Sequence, residues 1–471
     1  MRLHTGRAYG RVTMTGLSVL VGTAQITAQA HRPNIVLLYT DDQAYWAVGA
    51  NGNPEIHTPN LDRLFLGGAR FNNAFVVTPV CSPSRVGLIA SRWGFEVGVT
   101  DWINPRTEEN LGLDPAIVTW PEVLAEAGYV NGLVGKWHLG TQPRFHPHRV
   151  GYEHFMGFLS GGTRPMKPEL EIDGVVKELS ASLPDVLVDD AIRFVERNRD
   201  RRFTMSVHFR APHAPYHPVP STDSAHYVGK TLTVPDAYPG LDGDEVRRLT
   251  REYYGSVSSV DRNVGRLLDA LDALDLSSRT IVLFTSDHGY NIGHHGIRHK
   301  GNARWIVAGK TGRRPNMYDT SIRIPTAVRW PGVVEPGQVI DRTVSNLDFY
   351  PTILAMAGVK LPDGVKIHGR DFTPLLRGDE VGWDDTLFGA YDMHHGFEAR
   401  MRMIRTPSWK LVRHYGAITP PDELYHLAAD PDEHLNLIDV PAHRTRAADL
   451  QAQLLAWQTE VQDPLLTATR K

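Results

Sequence analysis

The chain has 471 residues, 41% hydrophobic and 22% charged, and its formal net charge of −3 leaves no global basic field to hold nucleic acid. Its single cysteine excludes an internal disulfide, and no apolar run is long enough to span a bilayer. A chain of this length can bury a large core with a smaller domain beside it.

Residues 1–30 place Arg2, Arg7 and Arg11 ahead of a short apolar run at 17–21 and an Ala28-Gln29-Ala30 small-x-small site, the order found in a secretory signal peptide. The expectation is an exported protein, periplasmic or secreted. Residues 34–40 form a continuous apolar run that suits a strand buried on both faces, and they lead into Asp41 and Asp42. Thr58 and Pro59 then open a short amphipathic helix that stops at Gly67-Gly68. At 81–85 stands Cys-Ser-Pro-Ser-Arg. Pro83 suits the first turn of a helix, and Val86, Leu88 and Ile89 can pack it inward, so Cys81 is placed just before a helix N-terminus. The helix dipole and the planar guanidinium of Arg85 favour an anion there. Taken alone, one free cysteine reads as a buried structural thiol.

A helix over 119–127, capped by Thr119, precedes a short strand over 130–135 that runs into Lys136 and His138. Residues 141–183 are rich in Gly, Pro, His and Arg without periodicity, and an irregular substrate-facing loop is expected. A helix over 184–197 leads to a strand over 203–209 and on to His213. Leu249, Tyr253, Val257, Val260, Val264, Leu267 and Leu271 recur at steps of three and four, marking the longest amphipathic helix. The strand at 280–285 ends in Ser286-Asp287-His288-Gly289, and a strand at 324–330 and a helix at 348–357 follow. From 378 the texture changes to short β-like runs at 388–391, 401–404 and 410–415 with a terminal helix over 443–457, a smaller antiparallel domain with a covering helix.

Four strands thus run into Asp41 and Asp42, Lys136 and His138, His213, and Asp287 and His288. Ligands of open α/β sheets bind beyond the carboxyl ends of strands, so these residues can share one rim. Three carboxylates at one place repel without a cation, and their hard oxygens suit Ca²⁺ or Mg²⁺.

The run from Cys81 to Arg85, with Ser91-Arg92 where a downstream Gly-Arg is usual, resembles the sulfatase signature. The resemblance continues through Gly135-Lys136-Trp137-His138, Pro212-His213-Ala214-Pro215, Asp287-His288-Gly289 and Lys300-Gly301, and covers essentially the whole chain after residue 30. It implies an alkaline-phosphatase-like α/β fold: a large mixed, mostly parallel sheet sandwiched by helices over 31–377, then a smaller C-terminal antiparallel sheet plus helix over 378–471. It implies hydrolysis of sulfate monoesters, with Cys81 oxidised by a maturation enzyme to formylglycine. One Ca²⁺ or Mg²⁺ would lie on Asp41, Asp42, Asp287, His288 and residue 81. Arg85 and Lys136 would hold the aldehyde hydrate and sulfate, and His138 would remove the proton whose loss releases sulfate. His213 and Lys300 would contact sulfate and protonate the leaving oxygen, with Lys310 as the alternative lysine.

Sulfated saccharides are the expected substrates. Arg144, His146, His148, Arg164, Arg304, Arg313, Arg314, His394 and His395 are candidates for recognising sugar carboxylates or further sulfates, or else are solvated surface. Two other readings stand beside this one: a phosphate or phosphonate monoester hydrolase of the same superfamily, and a non-catalytic binder of sulfated glycans that keeps its thiol.

Overall fold

Every residue of the strand Asn34–Asp41 is buried, as an unbroken apolar run requires when both faces of a sheet are covered. The computed structural model describes residues 1–4, 6, 32–235, 238–416 and 420–468. The apolar run and cleavage site read at 17–21 and 28–30 lie outside them. Arg32–Lys471 form one compact unit.

Asn34–Asp41 lies near the middle of a ten-stranded sheet. The order is Gln338–Ile340, Ala69–Phe71, Thr326–Arg329, Thr280–Ser286, Asn34–Asp41, Phe203–Pro212, Val130–Lys136, His154–Phe158, Glu169–Ile172 and Val175–Glu178. The five strands from Thr280–Ser286 to His154–Phe158 are mutually parallel, and antiparallel strands extend both edges.

Side chains alternate across a strand, so one run feeds two cores. Ile35, Leu37 and Tyr39 pack with Val86, Leu88, Trp120 and Ile353 on one face. Val36 and Leu38 pack with Leu64, Leu187, Val264 and Leu267 on the other. Each such side chain, fully buried, contributes about 1.5–3 kcal/mol. The longest helix, Gly243–Ala273, outruns its apolar stripe because Asp242 caps it, its carboxylate accepting from the amides of Asp244 (3.0 Å) and Glu245 (3.1 Å). Thr119 opens Trp120–Glu126 with a capping box to Glu122.

The stretch 141–183 departs from its expectation as irregular loop. It supplies His154–Phe158, Glu169–Ile172 and Val175–Glu178, three strands at one edge of the sheet. Val175–Glu178 is exposed throughout, so no apolar alternation marks it. A small antiparallel sheet of Asn291–Ile292, Ile297–His299, Asn302–Trp305 and Arg313–Pro315 also went unread, its strands being too short to show a period. The C-terminal sheet is antiparallel in the order Leu387–Met393, Ala399–Arg405, Lys410–Tyr415, Glu423–Tyr425, with Arg444–Glu460 laid on it through Leu450, Leu454 and Trp457. Leu387, Met401 and Leu411 join the same core as Val77 and Val86, so this sheet is packed into the larger body. Among the described residues no helix is long and apolar enough to cross a membrane.

Candidate active site

The four strands that end in charged residues are neighbours in the sheet, which puts their carboxyl ends on one rim. Asp42 turns out of its strand at φ 67, a left-handed conformation that Asp tolerates better than most residues. Its amide donates to Asp287 Oδ1 (3.2 Å) and the Asp287 amide to the Thr40 carbonyl (2.9 Å), which latches the two strand ends. Gly135 precedes Lys136 at φ 106, and a Cβ there would collide with the His208 carbonyl. Only glycine lets that strand deliver Lys136. Cys81 opens the helix Cys81–Ala90, capped by Val80, so it is the first helical residue rather than the one before the helix.

Cations and carboxylates interleave around the sulfur. Lys136 Nζ donates to Asp41 Oδ2 (2.6 Å), and Lys300 Nζ to Asp42 Oδ1 (2.7 Å) and to Cys81 Sγ (3.2 Å). His288 Nε2 lies 3.1 Å from Asp287 Oδ1 and 3.5 Å from Cys81 Sγ. His213 Nε2 is 3.7 Å from Asp42 Oδ2. Burial pushes the Cys81 thiol up, but Lys136 and then Lys300 pull it well below the usual range. Burial likewise opposes ionisation of Asp41, yet Lys136 holds it below the ordinary carboxylate value. Asp287 goes the other way: burial, then the Asp41 charge, raises it to about 6. Burial works against the His288 cation, and the Asp287 carboxylate outweighs it.

These groups fit a divalent cation. Ligand atoms of Asp41, Cys81, Asp287 and His288 lie within 4.8 Å of one another, and so do those of Asp41, Asp42 and His213. The set is mostly hard oxygen, and burial first, then the Asp41 charge, raise Asp287 to about 6, both of which a bound cation would offset. His288 Nδ1 stands 3.0 Å from the Gly289 carbonyl; with a cation in place of the imidazolium proton, donation there would leave the Nε2 lone pair facing Asp287 and the sulfur.

His138, at φ 60, places Nε2 3.0 Å from the Ile103 carbonyl. Burial, then Lys136, lowers its pKa to about 4. A neutral imidazole next to a carbonyl must donate there, so Nδ1, which has no hydrogen-bond partner, keeps its lone pair. Cys81, Lys136, His138, His213 and Lys300 all line one cavity of about 730 Å³.

Arg85 does not line this cavity. Its Nη2 donates to Asp287 Oδ2 (2.9 Å) and its Nη1 to the Lys136 carbonyl (3.0 Å), so it holds a carboxylate and a strand end in place where substrate oxygens were expected. Lys310 stands outside the cluster, with Nζ on the Tyr238 hydroxyl (2.9 Å). Among the peripheral candidates, Arg164 lines the cavity but is paired with Glu178 at 2.6 Å. Arg304 and Arg313 line a second cavity that shares walls with the first. The remainder make fold contacts: Arg144 with the Asn110 carbonyl, His146 with Glu171, His148 with the Tyr152 carbonyl, Arg314 with Glu423, His394 with Glu108 and His395 with Asp101.

Arg210 was missed. It lines the cavity almost wholly buried, anchored to the Pro215 carbonyl (3.1 Å) and that of Ala214, with Nε unpartnered. It occupies the carboxyl end of Phe203–Pro212, so the strand-end rule that singled out His213 points to it as well.

The sulfatase family profile matches residues 33–359, and the profile described as N-sulphoglucosamine sulphohydrolase, C-terminal, matches 312–460. Arylsulfatase A of Bos taurus is 31% identical, with 88% of this chain and 84% of its own length covered. The N-acetylglucosamine-6-O-sulfatase of Bacteroides thetaiotaomicron is 26% identical, with 92% and 88% covered. A solved structure of a protein in complex with its substrate D-glucosamine-2-N,6-O-disulfate has the same fold, with a TM-score of 0.78 at 24% identity over 92% of this chain and 98% of that one. Because the family profile takes in every strand that feeds the charged rim, the chain belongs to the sulfatase family of sulfuric ester hydrolases.

Proposed function

We propose that this chain removes sulfate from a sulfated saccharide through residue 81, converted to formylglycine by a maturation enzyme. One Ca²⁺ or Mg²⁺ is held by Asp41, Asp42, Asp287, His288 and residue 81. The observation that carries the reading is the company of the sulfur. Cys81 Sγ has Lys300 Nζ at 3.2 Å, His288 Nε2 at 3.5 Å and Asp41 Oδ1 at 3.8 Å, beside an open cavity, where a structural thiol would be packed among apolar groups. Relatives named for sugar sulfates support the saccharide. The organisation that goes with it is an export segment at 1–30, a catalytic region at 31–377 and a smaller C-terminal domain at 378–471, in a periplasmic or secreted protein.

A sulfate monoester is an anion that repels nucleophiles, so its oxygens must be neutralised while an attacker is held in line. When present, the cation and the aldehyde hydrate supply a polarised sulfate oxygen and an attacking hydroxyl. The side chains do the rest. Lys136 and Lys300 place ammonium groups at the sulfate oxygens, and Arg85 fixes the Asp287 carboxylate. His138 accepts a proton from residue 81 at its bare Nδ1. His213, at the cavity wall with Lys300, supplies the proton or stabilising charge to the departing alcohol.

The test is sulfate release from defined sulfated oligosaccharides by the matured, Ca²⁺-loaded protein, beside the matching phosphate and phosphonate esters. Preferred release of sulfate is expected. Faster cleavage of the phosphorus esters would move the chain to the sister chemistry.

A further inference from the structure

A second cavity of about 470 Å³ adjoins the first and shares Trp102, His213, Lys300 and Asn302 with it. Its outer wall carries Arg298, Arg304 and Arg313. They come from three adjacent strands, Ile297–His299, Asn302–Trp305 and Arg313–Pro315, and they are in register: Arg298 pairs with Arg304, and Arg304 with Arg313. Directly opposed residues share a face of the sheet, so the three guanidinium groups form one row.

Like charges set opposite one another destabilise a sheet. Among the described residues none of the three makes an ion pair with a carboxylate; the field of Glu245 reaches Arg298, but both oxygens of that carboxylate are held by Arg248 at 2.7 Å. Arg313 Nη1 donates to the Asn302 carbonyl (2.9 Å), and Arg298 Nη2 reaches the Tyr216 hydroxyl at 3.4 Å with its buried Nε left without a partner. The field of Asp101 reaches Arg313, but that carboxylate is committed to the Tyr391 hydroxyl and the amides of His394 and His395. The next residue shows the contrast: Arg314 points to the other face and is paired with Glu423 at 2.9 Å. One face of this sheet pairs its arginine and the other leaves three facing a cavity.

Resting on the reading that Lys300 and His213 face the reacting sulfate, we propose that the row Arg298–Arg304–Arg313 is a subsite for a second anionic group, carboxylate or sulfate, on the same saccharide. The preferred substrate is then a polyanionic saccharide. Guanidinium forks suit either anion because both present paired oxygens. Arg304 follows Lys300 by four residues, roughly 13 Å at full extension, so the second anion belongs to the same or a neighbouring sugar.

The experiment compares three saccharides that share the reacting sulfate: one with no other charge, one with an added uronate carboxylate, one with an added sulfate. The matured enzyme and the Arg304→Gln/Arg313→Gln variant are assayed on each. The ratio of kcat/KM for a dianionic over the monoanionic substrate should fall about 10- to 100-fold in the variant, mostly through KM. A fall with the uronate alone assigns a carboxylate, with the disulfate alone a sulfate, and with both any anion. In the wild-type enzyme, added salt should raise KM more steeply for the dianions. An unchanged ratio together with equal salt slopes overturns the subsite and leaves the saccharide reading standing. No sulfate release by the wild-type enzyme from any of the three overturns both.

Discussion

Two buried charge clusters in this molecule use the same residue types to opposite ends. In the C-terminal sheet, Arg402 donates from Nε to Asp463 Oδ2 (2.6 Å) and from Nη2 to Asp463 Oδ1 (2.9 Å), and its Nη1 and Nη2 bind both oxygens of Asp392 (2.6 and 3.1 Å). All three nitrogens of that guanidinium are met, and the side chain is wholly buried. At the charged rim Arg85, Lys136 and Lys300 stand against Asp41, Asp42 and Asp287, yet burial and the Asp41 charge still push Asp287 to about 6, and the ammonium groups border a cavity of about 730 Å³. Buried ion pairs therefore do not by themselves mark a site. Incomplete neutralisation beside open space does.

If the comparison holds, changes at the rim remove activity and spare stability, and changes at Arg402 do the reverse. The largest effect is expected at residue 81. Cys81→Ala should lower turnover by at least about 10⁴-fold, because the group that attacks is gone, with a urea midpoint close to wild type. A folded variant that keeps its activity would remove residue 81 from the chemistry. Chelation of the matured protein should abolish sulfate release, and Ca²⁺ or Mg²⁺ should restore it; turnover in demonstrably metal-free protein would contradict the ligand set.

His213→Ala should slow a saccharide sulfate ~10²–10⁴-fold more than a nitrophenyl sulfate, since only the sugar alkoxide needs help to leave. Equal losses on the two esters would make His213 a sulfate binder. Arg402→Ala should cost about 3–5 kcal/mol, measured by urea unfolding, because it strands two carboxylates, and kcat of the folded fraction should persist. An Arg402 variant of full stability would break the contrast from the other side.

The smallest effect is a pH slope. The folded His138 titrates at about 4 against an ordinary 6.5, so between those values the unfolded chain binds more protons. Stability from this group is complete above 6.5 and is lost as pH falls towards 4. His138→Gln should flatten the urea midpoint over that window, and an unaltered slope would mean that His138 is already charged when folded.

The rim was legible because its signal is local. A strand buried on both faces must be apolar, so charge appears where it ends, at Asp41, Lys136 and Asp287. Arg298 was not legible, because a strand of three residues shows no alternation and its partnership with Arg304 exists only across the sheet. The commitment of Arg85 to Asp287 bridges 202 positions, which no spacing rule reaches. Ser91 shows the same limit from the other side. It caps the helix Cys81–Ala90 at φ 51, where a glycine is usual, and its hydroxyl accepts from the amides of His368 (3.2 Å) and Gly369 (2.8 Å). The hydrogen bonds that offset the backbone cost come from a segment far along the chain.

The central claim is that residue 81 acts only after its conversion. Sulfate release per molecule should be measured across preparations whose fraction of formylglycine at residue 81 is known from peptide mass spectrometry. The account predicts activity proportional to that fraction, with none at zero conversion; undiminished turnover in protein carrying only the thiol would contradict it.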